Sequence, residues 1–374
     1  MTICFVSDCY PTFPSFGGIA IYTQLIARAL VRRGHQVHVV VTLAEENADF
    51  EDEGVQVHLR RVRWMPVIGK WFPGLGESLR IARILAGLNR RHRFDLIEIP
   101  HWEGMGLASL WTPGLRVVLR LHTSLAESIK TAGRQPSRGE RFMIWAEKAS
   151  TRRAPAVVTH SVSHRDLMGA AYGRDDIVVI PHGVGIPEQA TPPAGRSILA
   201  IGRMNARKGM ETLIEAMPTV FATVPDANFR IVGTDENHPR VQKFRTEHPG
   251  LNQVKFLGRV DQPRLHRLYD ECTAYVSPAI YESFGLTFVE AMSHGRPVIG
   301  CAASAVPEIV RDGIDGILVP CRDPDALAGA IIKLLSDAAL CRRMGASARQ
   351  RVIENFSIEI ATARVESFFM SLRS

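Results

Sequence analysis

The stretch SPAIYESFGLTFVEAMSHGRPVIG, residues 277–300, predicts a strand end, a glycine turn, a short helix and a second strand in succession. The apolar residues 274–276 have the character of a buried strand, which the Ser-Pro that follows them interrupts. Gly285 is free to adopt the positive φ of a tight turn. Residues 286–293 then have helical character, and 297–299 begin the next strand.

The start of this predicted helix is chemically suited to an anion. A helix that begins at a glycine turn presents unpaired backbone N–H groups and partial positive charge at its first turn. Glu282 precedes the turn, and Glu290 lies within the helix. A carboxylate has two acceptor oxygens, which match the adjacent hydroxyls of a ribose or a hexose. The arrangement favours a sugar nucleotide as ligand, and the alternative is a surface helix with two solvated glutamates.

The order of the residues from Glu282 to Ile299, ESFGLxxxEAMxxGxPVI, closely resembles the Glu-x7-Glu signature of glycosyltransferase family 4. The resemblance implies a retaining enzyme that uses a nucleotide-diphosphate sugar. It also implies the α/β GT-B fold, with two Rossmann-like, doubly wound parallel-sheet domains that face each other across a cleft. The resemblance covers nearly the whole chain. It is strongest over about 197–320 and weakest over about 44–153, where acceptor recognition usually resides.

The domain boundaries follow from composition and from the resemblance. Residues 187–196 are polar and rich in proline, without periodicity, and therefore predict a linker. The resemblance implies an acceptor-binding domain at 1–186 and a nucleotide-sugar-binding domain at 197–355. It further implies that a helix at 356–374 crosses back to the first domain.

A second glycine-bounded loop, residues 202–209, carries the cations Arg203 and Lys208 after a predicted strand. An arginine offers a planar fork of donors and a lysine offers a point charge, so that together they suit a diphosphate. The alternative is two solvated charges. The pattern Gly-Arg-x4-Lys-Gly resembles the diphosphate-binding loop of the family, which implies that role here.

The amino-terminal part of the chain predicts a βαβ unit and therefore a parallel sheet. Gly17 and Gly18 precede its helix and would let a phosphate or sugar approach the backbone, unless they form an ordinary βα turn. His122 follows a predicted strand, at the edge where open α/β sheets bind ligands. Its alternative role is to satisfy loop carbonyls. The resemblance implies that the glycine pair lines the donor site and that His122 faces the sugar and phosphate of the donor.

The resemblance therefore implies four catalytic residues and a larger donor site. The catalytic residues are His122, Glu282, Arg203 and Lys208. The residues expected to bind the donor are Gly17, Gly18, Arg203, Lys208, Gly258, Val260, Glu282, Ser283, Phe284, Gly285, Leu286, Thr287 and Glu290. Glu290 is expected to hold the ribose and Glu282 the hexose. We expect no metal ion and no cofactor other than the donor substrate.

Length, composition and missing motifs limit the classes of protein to which the chain can belong. A chain of 374 residues with 46% hydrophobic residues is long enough for two domains with their own cores. Its six cysteines show neither a Cys-x-x-Cys pair nor zinc spacing, which predicts reduced thiols and a cytoplasmic location. No apolar run approaches the length of a membrane-spanning helix. The Rossmann Gly-x-Gly-x-x-Gly pattern and the Walker loop are both absent, so dinucleotide binding is unsupported.

Residues 59–93 hold nine lysines or arginines against the single acid Glu77, with Trp64 and Trp71 among them. Basic residues mixed with tryptophan are typical of surfaces that contact anionic lipid headgroups. This segment predicts docking to the inner face of the cytoplasmic membrane, and the resemblance to the family implies a glycan or lipid-linked acceptor. The alternative is a half-buried loop and helix with a solvated basic rim. The net charge of +7 favours anionic partners, but we expect no nucleic acid among them.

The chain departs from the family pattern at two places, and the first of them concerns the expected sugar pocket. The family has a glycine pair where this chain has Ser304 and Ala305, and an asparagine where it has His182. The first departure leaves the identity of the donor sugar open.

Asp323 and Asp325 mimic an Asp-x-Asp metal motif, but they precede a predicted helix, so helix capping explains them better.

Three other functions compete with glycosyl transfer. A glycosidase would use Glu282 and Glu290 as an acid and base pair, which leaves Arg203 and Lys208 without a role. A sugar-nucleotide epimerase would share the GT-B architecture. A non-catalytic protein that binds membrane or nucleic acid by charge would show strongly salt-dependent binding and no turnover.

Overall fold

The computed structural model describes residues 1–11, 17–62, 72, 74–234, 236–249 and 252–373. The chain divides into two compact units, Met1–Gly183 together with Ile358–Ser374, and Val184–Ser357. Residues 187–196, predicted as a linker, are part of the second unit. Each unit is an α/β domain built on one sheet.

The first unit contains eight strands and six helices within the described residues. The strands are β1 (Thr2–Ser7), β2 (Gln36–Val41), β3 (Leu43–Asp52), β4 (Val55–Arg61), β5 (Leu96–Pro100), β6 (Val117–Arg120), β7 (Ala156–Thr159) and β8 (Val178–Val179). The helices are α1 (Gly18–Arg32), α2 (Leu75–His92), α3 (Leu125–Thr131), α4 (Arg138–Arg153), α5 (Val162–Tyr172) and, at the carboxyl end of the chain, α13 (Ile358–Ser371). The strand order is β3-β4-β2-β1-β5-β6-β7-β8.

Both faces of this sheet are covered, as a parallel sheet requires. The side chains of β2 show how the sequence achieves this, because successive residues of a strand point to opposite faces. Val37, Val39 and Val41 pack in the core that includes α1 and α13. Val40, on the other face, packs in the core that includes α2.

The β3–β4 hairpin is an element that the sequence analysis does not predict. It is the antiparallel edge of a sheet that is otherwise parallel. Most residues of β3 are exposed, so the strand has acidic residues where a buried strand would have apolar ones. Its turn places Glu53 and Gly54 at positive φ (48° and 83°). An exposed edge strand therefore has no hydrophobic run by which to recognise it.

The second unit repeats the architecture with six strands, all parallel to their neighbours, in the order β11-β10-β9-β12-β13-β14. These strands are β9 (Ser197–Ile201), β10 (Asn228–Val232), β11 (Val254–Gly258), β12 (Ala274–Ser277), β13 (Val298–Cys301) and β14 (Gly316–Val319). The helices are α6 (Met210–Thr223), α7 (Pro239–Glu247), α8 (Gln262–Glu271), α9 (Leu286–Ser293), α10 (Val306–Ile309), α11 (Pro324–Ser336) and α12 (Ala338–Asn355). Strands β9 and β12 are neighbours at the centre of the sheet, so their carboxyl ends lie at the same edge.

The last helix, α13, belongs to the first unit. Phe369 is fully buried there, and its ring centroid lies 6.2 Å from that of Phe5 in β1. Glu366 also pairs with Arg33 (2.5 Å) and with His35 (2.7 Å), both just after α1. The carboxyl-terminal helix is thereby joined to the first helix of the chain by apolar and polar contacts.

The basic segment 59–93 is described only in part. Residues 63–71 and 73, which include Trp64 and Trp71, lie outside the described residues. Within α2, Ile81 and Leu85 are buried in the core of the first unit. In the described part of the chain, no helix combines the length and the apolar character needed to traverse a bilayer.

Candidate functional site

The loops that follow β9 and β12 meet at the carboxyl edge of the second sheet. Lys208 Nζ lies 2.5 Å from Glu282 Oε1, and a guanidinium nitrogen of Arg207 lies 3.8 Å from Glu282 Oε2. The backbone N–H of Ile280 donates to the carbonyl of Arg207 (2.9 Å). The structure thus brings together Glu282 and Lys208, two residues that the sequence analysis selects from separate motifs.

The shape of the β9 loop depends on two local features. Asn205 caps the short 3₁₀ turn Ala206–Lys208 by accepting a hydrogen bond from the N–H of Lys208 (2.9 Å). Gly209 follows with φ of 61°, and a Cβ at this position would lie 2.0 Å from the carbonyl oxygen of Pro278. Only glycine therefore allows the β9 loop to lie directly against the backbone after β12.

A third loop, after β13, fixes the backbone of Glu282. The N–H of Glu282 donates to Ser304 Oγ (2.9 Å), and the N–H of Ala305 donates to the carbonyl of Glu282 (3.2 Å). Ser304 has φ of 49°, a conformation that favours glycine, which is the residue found there in the family pattern. The side chain of Ser304, which replaces a glycine of the family pattern, thus accepts a hydrogen bond from the backbone of Glu282, a candidate catalytic residue.

Arg207 is a residue that the sequence analysis missed. It lies beside Glu282 and donates to the carbonyl of Tyr281 (3.4 Å), whereas Arg203 is exposed. The side chain of Arg203 makes no ion pair or hydrogen bond with the residues that the structure describes. The signal that could have found Arg207 is its position within the same glycine-bounded loop as Lys208.

The glycine turn before α9 forms as predicted. Gly285 has φ of 104°, and no described side chain caps the helix that starts at Leu286. Thr287 in its first turn is held by Tyr275, whose hydroxyl donates to Thr287 Oγ1 (2.8 Å). The adjoining Phe284 is buried in the apolar core, and Ser283 is half-buried in the turn. The first turn of α9 therefore offers backbone N–H groups at the same loop that carries Glu282.

Glu290 lies further along α9, and its Oε2 accepts a hydrogen bond from the hydroxyl of Tyr269 (2.9 Å). Burial raises the pKa of Glu290 to about 7, and the Tyr269 hydroxyl opposes only part of that shift. A carboxylate with this pKa changes its charge near neutral pH.

The turns after β9, β10 and β11 are joined by hydrogen bonds at the same sheet edge. Thr234 Oγ1 donates to the carbonyl of Gly202 (2.7 Å), and the N–H of Gly258 donates to the carbonyl of Thr234 (3.2 Å). Gly258 has φ of 58°, and a Cβ added at this position would meet no atom within 4 Å. Val260, two residues later, is half-buried. Gly258 and Val260, which are expected to bind the donor, thus lie at the edge that carries Lys208 and Glu282.

The remaining predicted residues lie in the first unit. Gly17 and Gly18 are exposed at the start of α1. Gly17 has φ of −114°, and a Cβ there would meet no atom within 4 Å, so the local backbone does not require glycine. His122 is buried after β6, and its N–H donates to His101 Nδ1 (3.1 Å).

His122 forms a cluster with two histidines that the sequence analysis did not select as a group. The rings of His122, His160 and His182 offer ligand nitrogens that all lie within 4.8 Å of one another. Burial lowers the pKa of each ring, and the charge of Arg120 adds to the effect. Neutral imidazoles have the lone pairs that a metal ion requires, although the nearby guanidinium opposes a cation.

Arg120 is itself buried and paired. Its guanidinium makes a bidentate contact with Glu98 (2.7 and 3.0 Å) and lies 4.5 Å from the ring centroid of Tyr22. Tyr22 also donates to Glu98 (3.3 Å). These contacts connect α1, β5 and β6, and Arg120 precedes His122 by two residues.

The Asp323–Asp325 motif is a helix cap. Asp323 Oδ1 accepts from the N–H of Ala326 (2.9 Å) at the start of α11, as predicted.

Two family models match the chain, and they adjoin at residue 186. Residues 16–186 match the model described as Glycosyltransferase Family 4, and residues 186–351 match Glycosyl transferases group 1. The chain belongs to the family 4 glycosyltransferases. It is therefore an enzyme that transfers glycosyl groups.

Relatives of this glycosyltransferase match it along almost its whole length. A phosphatidyl-myo-inositol mannosyltransferase from Mycobacterium leprae is 28% identical over 92% of this chain and 90% of the relative. A glycogen synthase from Mycobacterium tuberculosis is 26% identical over 100% of this chain and 95% of the relative.

Solved structures give the fold. Sucrose-phosphate synthase from Thermosynechococcus elongatus has a TM-score of 0.81 at 22% identity, over 99% of this chain and 98% of that chain. Anabaena HepE with UDP and glucose has a TM-score of 0.73 at 20% identity, over 99% of each chain. The glycosyltransferase has the GT-B fold, with two parallel-sheet α/β domains, as predicted.

Proposed function

We propose that this glycosyltransferase moves a hexose from a nucleotide-diphosphate sugar to a glycan or lipid-linked acceptor, with retention at the anomeric carbon and without a metal ion. The observation that carries the proposal is the contact of Lys208 with Glu282 beside the first turn of α9. Among the relatives, HepE is seen with UDP and glucose, and others are named mannosyltransferase and glycogen synthase. Their names support a nucleotide-sugar donor and a sugar acceptor here.

The donor would be held mainly by the second unit. Lys208, Arg203 and the backbone N–H groups of 284–286 would bind the diphosphate. Glu290 would accept hydrogen bonds from the ribose, and Glu282 from the hexose. The nucleobase would lie by the turn of Gly258 and Val260, and Ser283 and Thr287 would complete the site.

Catalysis would come from charges that are already in place. As the glycosidic bond breaks, negative charge grows on the leaving phosphate and positive charge grows on the anomeric carbon. Lys208 is held by Glu282 before the donor arrives, so little reorganisation is needed for it to stabilise the phosphate. Glu282 would stabilise the anomeric carbon with its negative charge. The acceptor oxygen would attack from the face that the phosphate leaves, and that phosphate would take the proton of the acceptor.

His122 would orient the transferred sugar or the acceptor. Because burial keeps its pKa well below the usual value, its ring is neutral at physiological pH. A neutral imidazole positions a hydroxyl by hydrogen bonding, without adding positive charge near the anomeric carbon.

The experiment is a transfer assay over UDP-, GDP- and ADP-hexoses with a panel of glycan and lipid-linked acceptors. One donor should yield a glycosylated product whose anomeric configuration, read by NMR, equals that of the donor. The rate should be unchanged by EDTA. Lys208→Ala should lower the rate at least ~100-fold, about 2.7 kcal/mol, and Lys333→Ala, an exposed lysine of α11, should not. Inversion would contradict the mechanism, and an epimerised donor without acceptor would indicate the epimerase instead.

Membrane docking remains a proposal for residues 59–93. It is supported by the nine basic residues of that segment and by the net charge of +7. Wild-type protein should co-sediment with vesicles that contain anionic lipid, and a variant with Trp64, Trp71, Arg60 and Arg61 all changed to alanine should not. Equal binding by both proteins would exclude this segment from docking. A cytoplasmic location at the inner face of the membrane depends on that result.

A further inference from the structure

A second histidine cluster lies on the first sheet and contains none of the residues placed in the donor site. His38, His58 and His92 each offer a ring nitrogen, and these nitrogens all lie within 4.8 Å of one another. His38 Nδ1 lies 3.0 Å from His58 Nε2. The centroid of the His92 ring lies 4.4 Å from that of His38 and 5.9 Å from that of His58. Three imidazoles therefore converge on one small volume.

The strand register explains why these residues meet. Strands β2 and β4 are parallel neighbours, and Val40 lies opposite His58 in the ladder. His38 is two residues from Val40 and thus points to the same face. That face is the one on which α2 packs, and His92 is the last residue of α2. The fold brings together residues that are 20 and 34 positions apart in the chain.

A carboxylate orients one of the rings. His58 Nδ1 lies 2.9 Å from Oδ1 of Asp49, which is directly opposite His58 in the β3–β4 ladder. A carboxylate that accepts from Nδ1–H fixes the tautomer with its lone pair on Nε2, the nitrogen that faces His38 Nδ1 and would bind the metal ion. Arg60 pairs with the same carboxylate (2.7 Å), so its positive charge is partly neutralised beside the cluster.

The surroundings of the cluster also suit a cation. The carboxyl end of α2 carries partial negative charge next to His92. Burial lowers the pKa of His38 to about 4 and also lowers that of His58, so both rings are neutral and have lone pairs at physiological pH. His92 is less buried than the other two, which leaves a side of the cluster accessible to an ion and to a water ligand. The cationic side chains nearest in sequence, Arg90, Arg91 and Arg93, are at the surface.

We propose that His38, His58 and His92 bind a Zn²⁺ ion, with Asp49 as the outer partner of His58. Three imidazoles and one water complete the four-coordinate shell that Zn²⁺ prefers, with Zn–N distances of about 2.0–2.1 Å. Tetrahedral geometry at that distance separates the nitrogens by about 3.4 Å, which a small rotation of the rings provides. The ion would connect the β3–β4 edge to α2. The role proposed for it is structural, since it touches no residue of the donor site.

The chain offers a matched control for the two-histidine part of the cluster. His266 Nδ1 lies 3.0 Å from His294 Nε2, and His294 Nδ1 lies 2.7 Å from Asp270 Oδ1. This chain of contacts repeats that of Asp49, His58 and His38, but no third histidine joins it in the metal-ligand groups of the described residues. Substitutions in this second set of contacts, formed by Asp270, His294 and His266, should leave metal binding intact.

The experiment measures Zn²⁺ content by mass spectrometry and Zn²⁺ affinity by competition with a chelator, on full-length protein stripped of metal. Wild type and His266→Gln should each bind one Zn²⁺ per chain, and Zn²⁺ should raise the Tm of both. His92→Gln should lose at least tenfold in affinity, and Asp49→Asn about 10–100-fold. Co²⁺ in the wild-type protein should give the visible absorption of a tetrahedral site.

Two kinds of result would overturn the proposal. One is the absence of stoichiometric Zn²⁺ or of the Co²⁺ spectrum in the wild type, which needs no variant to fold. The other is wild-type affinity in His92→Gln, or a loss of Zn²⁺ that follows His160→Gln alone and so assigns the ion to the cluster of His122. Equal Tm values of wild type and His92→Gln in chelator would establish that the variant is folded.

Discussion

At the scale of single residues, the site is defined by the charge that each side chain carries before any ligand arrives. Glu282 is 7% exposed and already in contact with Lys208. The carboxylate keeps the ammonium in place, and Arg207 adds a second cation at 3.8 Å. A ligand with two phosphates would therefore meet fixed positive charge, with no cost for ordering a free lysine side chain.

Glu290 gives a prediction about stability and pH. Its pKa is raised from 4.5 to about 7 by burial, so folding favours its protonated form. The stabilisation is full below pH 4.5 and is lost as pH rises to about 7. Glu290→Gln stays neutral at every pH. The unfolding free energy of the variant, measured by urea denaturation, should therefore rise relative to that of the wild type as the pH increases from 4.5 to 7. A constant difference over this range would contradict the assigned burial.

At the scale of elements, the site is an edge where loops from several parallel strands meet. The loops after β9, β12 and β13 contact one another through Gly209, Glu282 and Ser304. The glycine turns and the helix α9 were predictable, because glycine, proline and apolar periodicity are local signals. The contact of Lys208 with Glu282 spans 74 positions, and only the order of the strands in the sheet creates it.

Gly209→Ala tests the packing of these loops. The residue has φ of 61°, and its Cβ would lie 2.0 Å from the Pro278 carbonyl. The left-handed conformation alone costs an alanine about 1–2 kcal/mol, so a total loss of at least about 2 kcal/mol of unfolding free energy is expected. The transfer rate should fall as well, because the loop of Lys208 must move.

The control for this change is Gly329→Ala, in the interior of α11, where a Cβ would meet nothing within 4 Å. An alanine there should stabilise the protein by about 0.5–1 kcal/mol. If Gly209→Ala and Gly329→Ala changed the unfolding free energy equally, the close approach of Gly209 to Pro278 would not contribute to stability as argued.

At the scale of the whole molecule, the two-domain α/β architecture was predictable from the resemblance to the family, and the parallel sheet of the first unit was predictable from its βαβ pattern. The edge hairpin β3–β4 was not, because a strand with a solvated face lacks an apolar run. The cluster of His38, His58 and His92 was also missed. Its members come from two strands and one helix end, with none of the short ligand spacings that reveal a metal site in a sequence.

The attachment of α13 to the first unit has a measurable consequence. Phe369 is fully buried against β1, and a buried phenylalanine changed to alanine costs about 3–5 kcal/mol. Phe369→Ala should therefore lower the unfolding free energy by that amount. Met370→Ala, at an adjacent residue that is 52% exposed, should change it by no more than about 0.5 kcal/mol. Similar values for both variants would contradict the packing of α13.

The most direct test of the proposed diphosphate site compares two affinities by calorimetry. One is the affinity of the protein for a nucleoside diphosphate, and the other is its affinity for the monophosphate of the same base. If the loop of Lys208 grips the second phosphate, the wild type and Lys333→Ala should prefer the diphosphate by at least tenfold. Lys208→Ala should bind both nucleotides with nearly equal affinity. An unchanged preference in Lys208→Ala would mean that the ammonium beside Glu282 does not bind the diphosphate.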